Sequence, residues 1–303
     1  MSVRHFIRIW DLSKGEIEVI LSRALEWKRA RKYLNKWEGK ILALIFEKAS
    51  TRTRISFETA MLRLGGNSLF LSKEDLQLAR GEPLKDTARV LSRYVNVVVL
   101  RTYAQETIEE FAKFSTIPVI NGLSNQFHPC QVLSDIMTII EKGKDLYRDK
   151  IVWIGDGNNV AQSWIEASAI LGFPLTICCP KGFEPSKDLI KEAKERFGAQ
   201  IEINHDPQTA LKEAQVINTD VWISMGQELE TEKRRRAFKG YTLDTKLLSY
   251  AHPSAIVLHC LPAHRGEEIS EEVLEGPQAV VWDQAENKMW LHMALLDFLL
   301  EQR

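Results

Sequence analysis

The sequence predicts an α/β fold with two doubly wound parallel-sheet domains. Short apolar runs alternate with amphipathic segments, the alternation restarts after residue 150, and a length of 303 residues suits two domains. Strands that alternate with helices form parallel sheets, which bind ligands at the carboxyl ends of their strands. We therefore expect an active site in a cleft between the two domains.

The first domain is predicted from the spacing of its apolar residues and from its turn residues. Ser13 is an expected N-cap for a helix that runs to about Tyr33, and Gly65 and Gly66 end a later helix. The predicted strands cover 41–46, 67–71, 95–100 and 117–120, and the later helices cover 51–64, 83–92, 104–114 and 130–142.

The charged stretch 141–150 is the predicted boundary between the domains. The first domain is expected to comprise residues 1–145, joined by a C-terminal helix of about 286–303, and the second to comprise residues 146–285. In the second half the predicted strands cover 151–154, 175–179, 200–203, 216–219, 255–260 and 279–282, and the helices cover 160–171, 186–197, 207–214 and 286–301.

Composition argues against several classes of partner. Forty basic residues nearly balance forty-one acidic ones, so neither a nucleic acid nor a membrane surface is expected. No apolar run reaches the roughly 18 residues of a membrane span, and no signal peptide is recognised. The four cysteines (130, 178, 179 and 260) lack zinc-site spacing, so we expect no metal, no cofactor and a cytoplasmic location.

A cluster of hydroxyls and guanidiniums follows strand 41–46. Ser50, Thr51, Arg52 and Thr53 stand where a helix begins, and free backbone N–H groups there favour an anion. The alternative is a hydroxyl-capped helix with solvated arginines. Capping needs one hydroxyl rather than three, so a phosphate site is the preferred interpretation.

Two other polar features of the first half have structural alternatives. Arg101 follows a very apolar strand, and at that position it can face a ligand or form an interdomain salt bridge. His128 and Gln131 lie three residues apart at a helix start that contains Pro129, so their side chains can converge, although a lone histidine is usually structural.

Gly155 and Gly157 suggest a dinucleotide-binding turn, but the match is weak. The third glycine position holds Val160, and strand 175–179 ends in Cys-Cys-Pro-Lys, where a ribose-binding acid is expected. A nicotinamide-dependent oxidoreductase is therefore disfavoured.

Asp220 and Cys260 each stand at or just beyond the carboxyl end of a predicted strand. Asp220 precedes Val-Trp-Ile-Ser224-Met225-Gly and can pair with an ammonium group or simply cap a turn. Cys260 belongs to the run His259-Cys260-Leu261-Pro262, in which His259 is given no chemical role.

Together these motifs, in this order over residues 46–290, resemble the aspartate/ornithine carbamoyltransferase family. The Ser-Met-Gly loop and Cys260 are similar to the ornithine-specific members. The resemblance implies that ornithine and carbamoyl phosphate are the substrates and that citrulline and phosphate are the products.

The resemblance also implies a role for each matched residue. Carbamoyl phosphate is expected to contact Ser50, Thr51, Arg52, Thr53, Gln77, Arg101, His128, Gln131, Cys260, Leu261 and Lys288. Ornithine is expected to contact Asn159, Asp220, Ser224 and Met225. The residues expected to be catalytic are Arg101, His128, Asp220 and Cys260.

Lys288 departs from the family pattern, which usually has arginine after Ala-Glu-Asn. Lysine keeps the charge but loses the planar fork, so we expect Lys288 to act on carbamoyl phosphate as a point charge. Gln77 matches a glutamine that reaches a neighbouring pocket in the family's trimer, which implies a homotrimer or a multiple of it. A surface loop is the alternative for the segment 72–82.

Other acceptor amines remain alternatives, namely putrescine, acetylornithine and aspartate, as does a non-catalytic homologue. The expected place is arginine biosynthesis, with arginine breakdown left open.

Overall fold

The computed structural model describes residues 3–72, 76–77, 81–223 and 228–302. The chain divides into two compact units. Unit 1 comprises Met1–Met137 and Glu286–Arg303, and unit 2 comprises Thr138–Ala285. The division falls inside a helix, before the charged stretch in which the sequence places the boundary.

Unit 1 is built on a parallel sheet of four strands in the order β2-β1-β3-β4. The strands are β1 (Ile41–Phe46), β2 (Asn67–Ser72), β3 (Val97–Arg101) and β4 (Val119–Leu123). The helices are α1 (Lys14–Arg29), α2 (Thr51–Arg63), α3 (Leu84–Tyr94), α4 (Gln105–Phe114), α5 (Pro129–Glu141) and the part of α12 (Val281–Glu301) that begins at Glu286.

The parallel register of this sheet brings two predicted site segments together. Phe46, the last residue of β1, pairs with Arg101, the last residue of β3. The Glu47 N–H donates to the Arg101 carbonyl at 2.8 Å. The turn that leads into α2 therefore begins beside Arg101, at the carboxyl edge where a ligand is expected.

Unit 2 contains a second parallel sheet, of five strands in the order β7-β6-β5-β8-β9. The strands are β5 (Ile151–Ile154), β6 (Leu175–Cys178), β7 (Ile201–Asn204), β8 (Val216–Thr219) and β9 (Ile256–His259). The helices are α6 (Asn159–Leu171), α7 (Lys187–Phe197), α8 (Pro207–Leu211), α9 (Thr231–Ala237), α10 (Thr245–Leu248) and α11 (Glu271–Leu274).

The register of the second sheet aligns the ends of three neighbouring strands, β5, β8 and β9. Ile154 pairs with Thr219, and Thr219 pairs with His259. The residues that follow these strands, Gly155, Asp220 and Cys260, therefore emerge side by side at one edge.

The cores follow from the apolar runs. β1 and β3 are buried on both faces, as expected for central parallel strands. One core cluster of unit 1 includes Val98, Leu100 and Phe111, and one of unit 2 includes Trp222 and Phe238. Burying such apolar surface stabilises a fold by roughly 25 cal/mol per Å².

Capping residues define several helix ends, and the predicted N-cap Ser13 is confirmed. Ser13 caps α1 in a capping box with Glu16, and Ser186 caps α7. Gly198 ends α7 with φ of 67°, a conformation that favours glycine. In contrast, α1 ends at Arg29 rather than near Tyr33, because the chain turns at Arg31, whose φ is 49°.

The strand predicted at 279–282 is wrong. Ala279 forms one isolated bridge with Val257, and helix α12 begins at Val281, five residues before its predicted start. The β-branched residues Val280 and Val281 favour a strand locally. Burial of Val281 in the unit 2 core instead allows a helical first turn, in which the Gln284 N–H donates to the Val280 carbonyl at 2.9 Å.

Short helices α9, α10 and α11 were not predicted, because so few residues show little periodicity. Over the ranges that the structure covers, no helix is both long and apolar enough to cross a bilayer.

Candidate active site

The N-terminus of α2 has the features of an anion site. Ser50 is the N-cap, and its Oγ accepts from the Thr53 backbone N–H at 3.3 Å. Thr51 is exposed, Arg52 is half-buried and Thr53 is buried, so the first turn runs from solvent into the protein. The positive end of the helix dipole lies at this turn and favours a negative ligand.

Three other predicted residues are buried in the same unit. Arg101 is 6% exposed, His128 is 4% exposed and Gln131 is 2% exposed. His128 immediately precedes Pro129, the first residue of α5, and its carbonyl accepts from the Gln131 N–H at 3.1 Å. The backbone therefore places both residues at a helix start, as predicted.

His128 is held in the neutral form. Burial, followed by the positive charges of Lys288 and Arg101 and the nearby His292, holds the pKa of His128 well below its usual range. A neutral imidazole can donate one hydrogen bond without having to take up a proton. Because the charges of Lys288 and Arg101 both lower the pKa of His128, these three side chains lie within range of one another's charge.

Lys288 reaches both helices that carry predicted carbamoyl-phosphate residues. Its Nζ donates to Thr53 Oγ1 at 3.3 Å on α2 and to Gln131 Oε1 at 3.0 Å on α5. Lys288 is only 4% exposed. The departure from the family pattern thus lies among the predicted ligands rather than on the surface.

The amide of Gln131 has a defined orientation. Its Nε2 donates to Asp135 Oδ1 at 2.8 Å, which leaves Oε1 as the group that faces Lys288. A carbonyl oxygen can accept two hydrogen bonds, so Gln131 Oε1 can also accept from a ligand amide.

His292 was missed by the sequence reasoning. It lies one turn after Lys288 on α12, stacks on Phe57 with ring centroids 3.5 Å apart, and places Nδ1 3.0 Å from Ser56 Oγ. Ser56 Oγ donates its own proton to the Thr53 carbonyl at 3.1 Å, so His292 Nδ1 must carry the proton that it shares with Ser56. The spacing of four residues from Lys288 is the signal that could have indicated it.

Gln77 is exposed, and its carbonyl accepts from the Glu82 N–H at 3.2 Å. Its neighbours at 73–75 and 78–80 lie outside the described residues. The structure does not place Gln77 with the other predicted ligands of unit 1.

In unit 2, Asp220 is the centre of a small polar group. Cys260 Sγ donates to Asp220 Oδ1 at 3.0 Å, and Asn158 Nδ2 donates to Asp220 Oδ2 at 2.9 Å. Asp220 is 7% exposed, whereas Cys260 is half-buried. Two donors thus fix both carboxylate oxygens at the carboxyl edge of the sheet.

Asn158 was also missed, because the prediction selected its neighbour Asn159. Asn158 is the N-cap of α6, and its Oδ1 accepts from the Val160 and Ala161 N–H groups at 2.9 and 3.1 Å. With Oδ1 committed to the cap, its Nδ2 faces Asp220. Asn159 is the half-buried first residue of α6. Predicted residues Ser224 and Met225 lie outside the described residues.

His259 shapes the chain beside Cys260. Its Nδ1 accepts from the Leu261 N–H at 2.9 Å, so its proton is on Nε2, which donates to Glu268 Oε1 at 2.9 Å. Leu261 has φ of 55°, which is uncommon for a non-glycine residue, and its hydrogen bond to His259 helps to hold it there.

Asp220, His259 and Cys260 also place their possible metal-ligand atoms within 4.8 Å of one another. Both ring nitrogens of His259 are engaged, however, and the Cys260 thiol is bonded to Asp220. The geometry therefore favours a hydrogen-bonded acid–thiol pair over a metal centre.

Comparison with known proteins decides the family. Residues 4–141 match the carbamoyl-P binding domain of aspartate/ornithine carbamoyltransferases, and residues 148–299 match the Asp/Orn binding domain. The chain belongs to the aspartate/ornithine carbamoyltransferase family.

Individual relatives from this carbamoyltransferase family are similar over nearly the whole chain. An ornithine carbamoyltransferase from Desulfotalea psychrophila is 52% identical over 299 residues, covering 98% of this chain and 99% of the relative. One from Methylococcus capsulatus is 49% identical over 300 residues, covering 99% of each. The structure of ornithine carbamoyltransferase from Pyrococcus furiosus is 46% identical, has a TM-score of 0.94, and is matched over 100% of this chain and 98% of that chain.

In this carbamoyltransferase-family chain, Gly157 serves backbone packing. A Cβ atom on Gly157 would lie 2.2 Å from the Pro185 backbone nitrogen, and the Gly157 N–H donates to the Phe183 carbonyl at 2.8 Å. The close approach of residues 183–185 accounts for this glycine without a dinucleotide.

Proposed function

We propose that the chain transfers the carbamoyl group of carbamoyl phosphate to the side-chain amine of L-ornithine, giving L-citrulline and phosphate. Unit 1 supplies the cations and donors that suit carbamoyl phosphate, and unit 2 supplies the carboxylate that suits an amine. The proposal requires both sets of residues to act on one pair of substrates.

The observation that carries the proposal is the hydrogen-bonded Asp220–Cys260 pair in the Asp/Orn binding domain. A buried carboxylate attracts the side-chain ammonium of ornithine, whereas it repels the side-chain carboxylate of aspartate. The names of the relatives support the same choice of acceptor.

The phosphate of the donor is assigned to the start of α2. Ser50, Thr51 and Thr53 offer hydroxyl and backbone donors, and Arg52 offers a guanidinium that binds phosphate oxygens in pairs. Lys288 adds a buried positive charge beside Thr53. These groups oppose the negative charge that collects on phosphate as it departs.

The carbonyl oxygen is assigned to Arg101, His128 and Thr53. These groups are suited to stabilise the negative charge that grows on the oxygen when the amine nitrogen attacks the carbonyl carbon. The donor's own amide is assigned to Gln131 Oε1, which Asp135 already orients. Leu261, the neighbour of Cys260, is assigned to the same substrate.

The reaction also requires the movement of protons. The ornithine side-chain amine is mostly protonated at neutral pH, since a free alkylammonium titrates near 10, so one proton must leave before attack. Asp220 and Cys260 are the groups proposed to accept or orient it. Attack forms the new C–N bond. The bond from the carbon to the phosphate oxygen then breaks, and as the phosphate departs the nitrogen loses its remaining excess proton. Asn159, Ser224 and Met225 are proposed to hold the amino-acid end of ornithine.

The proposal includes assembly as a homotrimer or a multiple of it, in which Gln77 serves a neighbouring subunit. It is supported by the exposure of Gln77 and of apolar side chains on α2 and the edge strand β2: Ile55 is 53% exposed, Leu62 is 57% exposed and Leu69 is 49% exposed. Subunits joined head to tail can close as a ring. Light scattering coupled to size exclusion tests this, and a monomer mass at working concentration would contradict it.

Biosynthetic use in the cytoplasm is part of the proposal. The four cysteines are free thiols, which suits a reducing compartment.

The decisive test of function is an acceptor screen. Purified protein is incubated with carbamoyl phosphate and, separately, ornithine, putrescine, acetylornithine or aspartate, and each product is identified by mass. We expect citrulline from ornithine, with kcat/KM at least 100-fold above that for the other amines, because a missing or added charged group leaves buried partners unpaired. Preference for another amine, or no transfer at all, would refute the proposal.

A further inference from the structure

A buried ion pair adjoins the acceptor residues. Asp156 and Arg234 are each 6% exposed, and Arg234 Nη1 lies 2.9 Å from Asp156 Oδ2. Asp156 follows β5 by two residues, and Arg234 lies on α9. None of the roles assigned above uses either side chain.

Arg234 joins three segments of unit 2. Besides Asp156, its Nη1 donates to the Trp222 carbonyl at 2.9 Å, and its Nε donates to Glu230 Oε2 at 3.1 Å. The planar guanidinium donates in several directions from one rigid group. Lysine, with a single nitrogen, would lose this geometry.

The Trp222 contact matters because Trp222 is two residues beyond Asp220. Its carbonyl is held by Arg234, and its ring stacks on Phe238 with centroids 5.3 Å apart and planes at 21°. The Phe238 N–H in turn donates to the Arg234 carbonyl at 2.9 Å. Helix α9 and its C-cap Phe238 therefore hold both the backbone carbonyl and the ring of Trp222.

Electrostatics connect the pair to the same acid. Burial raises the pKa of Asp156 to about 6, against the opposing effect of Arg234, and the charge of Asp220 raises it further. The charge of Asp156 also raises the pKa of the Cys179 thiol. Arg234 thus offsets the repulsion between two carboxylates, which would otherwise drive proton uptake.

We propose that Arg234 is a positioning residue for the acceptor half of the site. Paired with Asp156, it fixes the chain that follows Asp220 and thereby sets where the Asp220 carboxylate meets the ornithine side chain. This inference rests on the proposed function. A buried ion pair is by itself weak support for stability, so its placement beside Asp220 is the relevant feature.

The test compares Arg234→Gln with Arg235→Gln, its neighbour on α9. Arg235 is also paired, since its Nε and Nη2 lie 3.1 and 2.6 Å from Glu267 Oε1, but its side chain is 52% exposed. For Arg234→Gln we expect KM for ornithine to rise about 10- to 100-fold, because a misplacement of about 1 Å can cost that much. KM for carbamoyl phosphate should stay within about twofold, and Arg235→Gln should leave both constants within about twofold.

Two more variants separate positioning from a general loss of structure. Arg234→Lys should give an intermediate KM for ornithine, because it restores the charge but not the fork. Asp156→Asn combined with Arg234→Gln should cost no more than Arg234→Gln alone, since the two side chains act as one unit. Equal increases in both KM values, or lower thermal stability with unchanged kinetics, would overturn the proposal.

Failure of this inference can be distinguished from failure of the proposed function. If the wild-type chain carbamoylates an amine other than ornithine, the same comparison is made with that amine. A selective rise in its KM in Arg234→Gln then still supports the positioning role, and an unchanged KM overturns it.

Discussion

Lys288 offers the sharpest test of the carbamoyl-phosphate half. Substitution by methionine keeps an unbranched side chain of similar length and removes only the ammonium group. Lys288 is 4% exposed, and its Nζ lies 3.3 Å from Thr53 Oγ1 and 3.0 Å from Gln131 Oε1. The change therefore removes one buried charge from a group of assigned ligands.

The expected loss can be worked out from these contacts. A hydrogen bond to a charged group contributes about 1.5–3 kcal/mol, which corresponds to a roughly 10- to 150-fold weaker affinity for carbamoyl phosphate. Lys288→Arg should keep or improve the affinity, because the fork can bind two oxygens at once. The free energy of unfolding should change less in Lys288→Arg than in Lys288→Met, which leaves Gln131 Oε1 without its Lys288 donor.

Calorimetric titration with fresh carbamoyl phosphate, and separately with inorganic phosphate, measures the effect. A loss for both ligands locates Lys288 at the phosphate, and a loss for carbamoyl phosphate alone locates it at the carbonyl. Lys28→Met is the matched control, since Lys28 is also buried and donates to Asn287, next to Lys288 on α12, at 2.7 Å. It should bind within about threefold of wild type. Equal affinity of wild type, Lys288→Arg and Lys288→Met would refute the assignment.

Four other predictions test the remaining assignments. Arg52→Ala should lower turnover by about 10²–10³ and raise the carbamoyl-phosphate requirement, since it removes a donor that stabilises charge; near-normal steady-state kinetics in a folded variant would exclude the anion site. Cys260→Ala should impair ornithine use and leave carbamoyl-phosphate binding largely intact; calorimetry that shows the reverse would contradict the division of substrates. Co-expression of Gln77→Ala with Arg101→Ala should restore activity that each lacks alone, because a mixed ring contains intact pockets; verified mixed oligomers without recovery would mean that Gln77 serves its own subunit. The pKa of Asp156, raised from 3.8 to about 6, means that the native state holds this proton more tightly than the unfolded chain does. Urea titration of wild type and Asp156→Asn gives the difference between their free energies of unfolding. As pH rises from 4 to 7, wild type should lose up to about 3 kcal/mol relative to the variant, and a difference independent of pH would refute this prediction.

Much of the fold could be predicted because buried parallel strands leave a strong local pattern. Strands 41–46, 151–154 and 216–219 were predicted with the limits that the structure has, since each is an apolar run flanked by polar or turn residues. The residues at strand ends followed from the same logic. Parallel register places Arg101 beside the turn into α2, and Asp220 beside Cys260, once the strand order is known.

Other features depend on contacts that a local pattern does not contain. The start of α12 was mistaken for a strand because Val280 and Val281 favour one locally, and burial in the core outweighs that preference. The choice between Asn158 and Asn159 depends on which residue caps α6. A shift of one position at the N-cap decides which amide faces Asp220.

The arrangement around Lys288 suggests why an ammonium can stand where the family usually has a guanidinium. A planar guanidinium donates in fixed directions, whereas an ammonium is a point charge that is oriented by the groups around it. Here the two acceptors of the Lys288 ammonium, Thr53 Oγ1 and Gln131 Oε1, lie on residues that are themselves held in place. Asp135 fixes the amide of Gln131, and the His292–Ser56 pair holds the backbone of Thr53. His292 therefore belongs to the same arrangement as Lys288. If His292 is replaced by a residue that cannot donate to Ser56, lysine at position 288 should bind carbamoyl phosphate less tightly than arginine would.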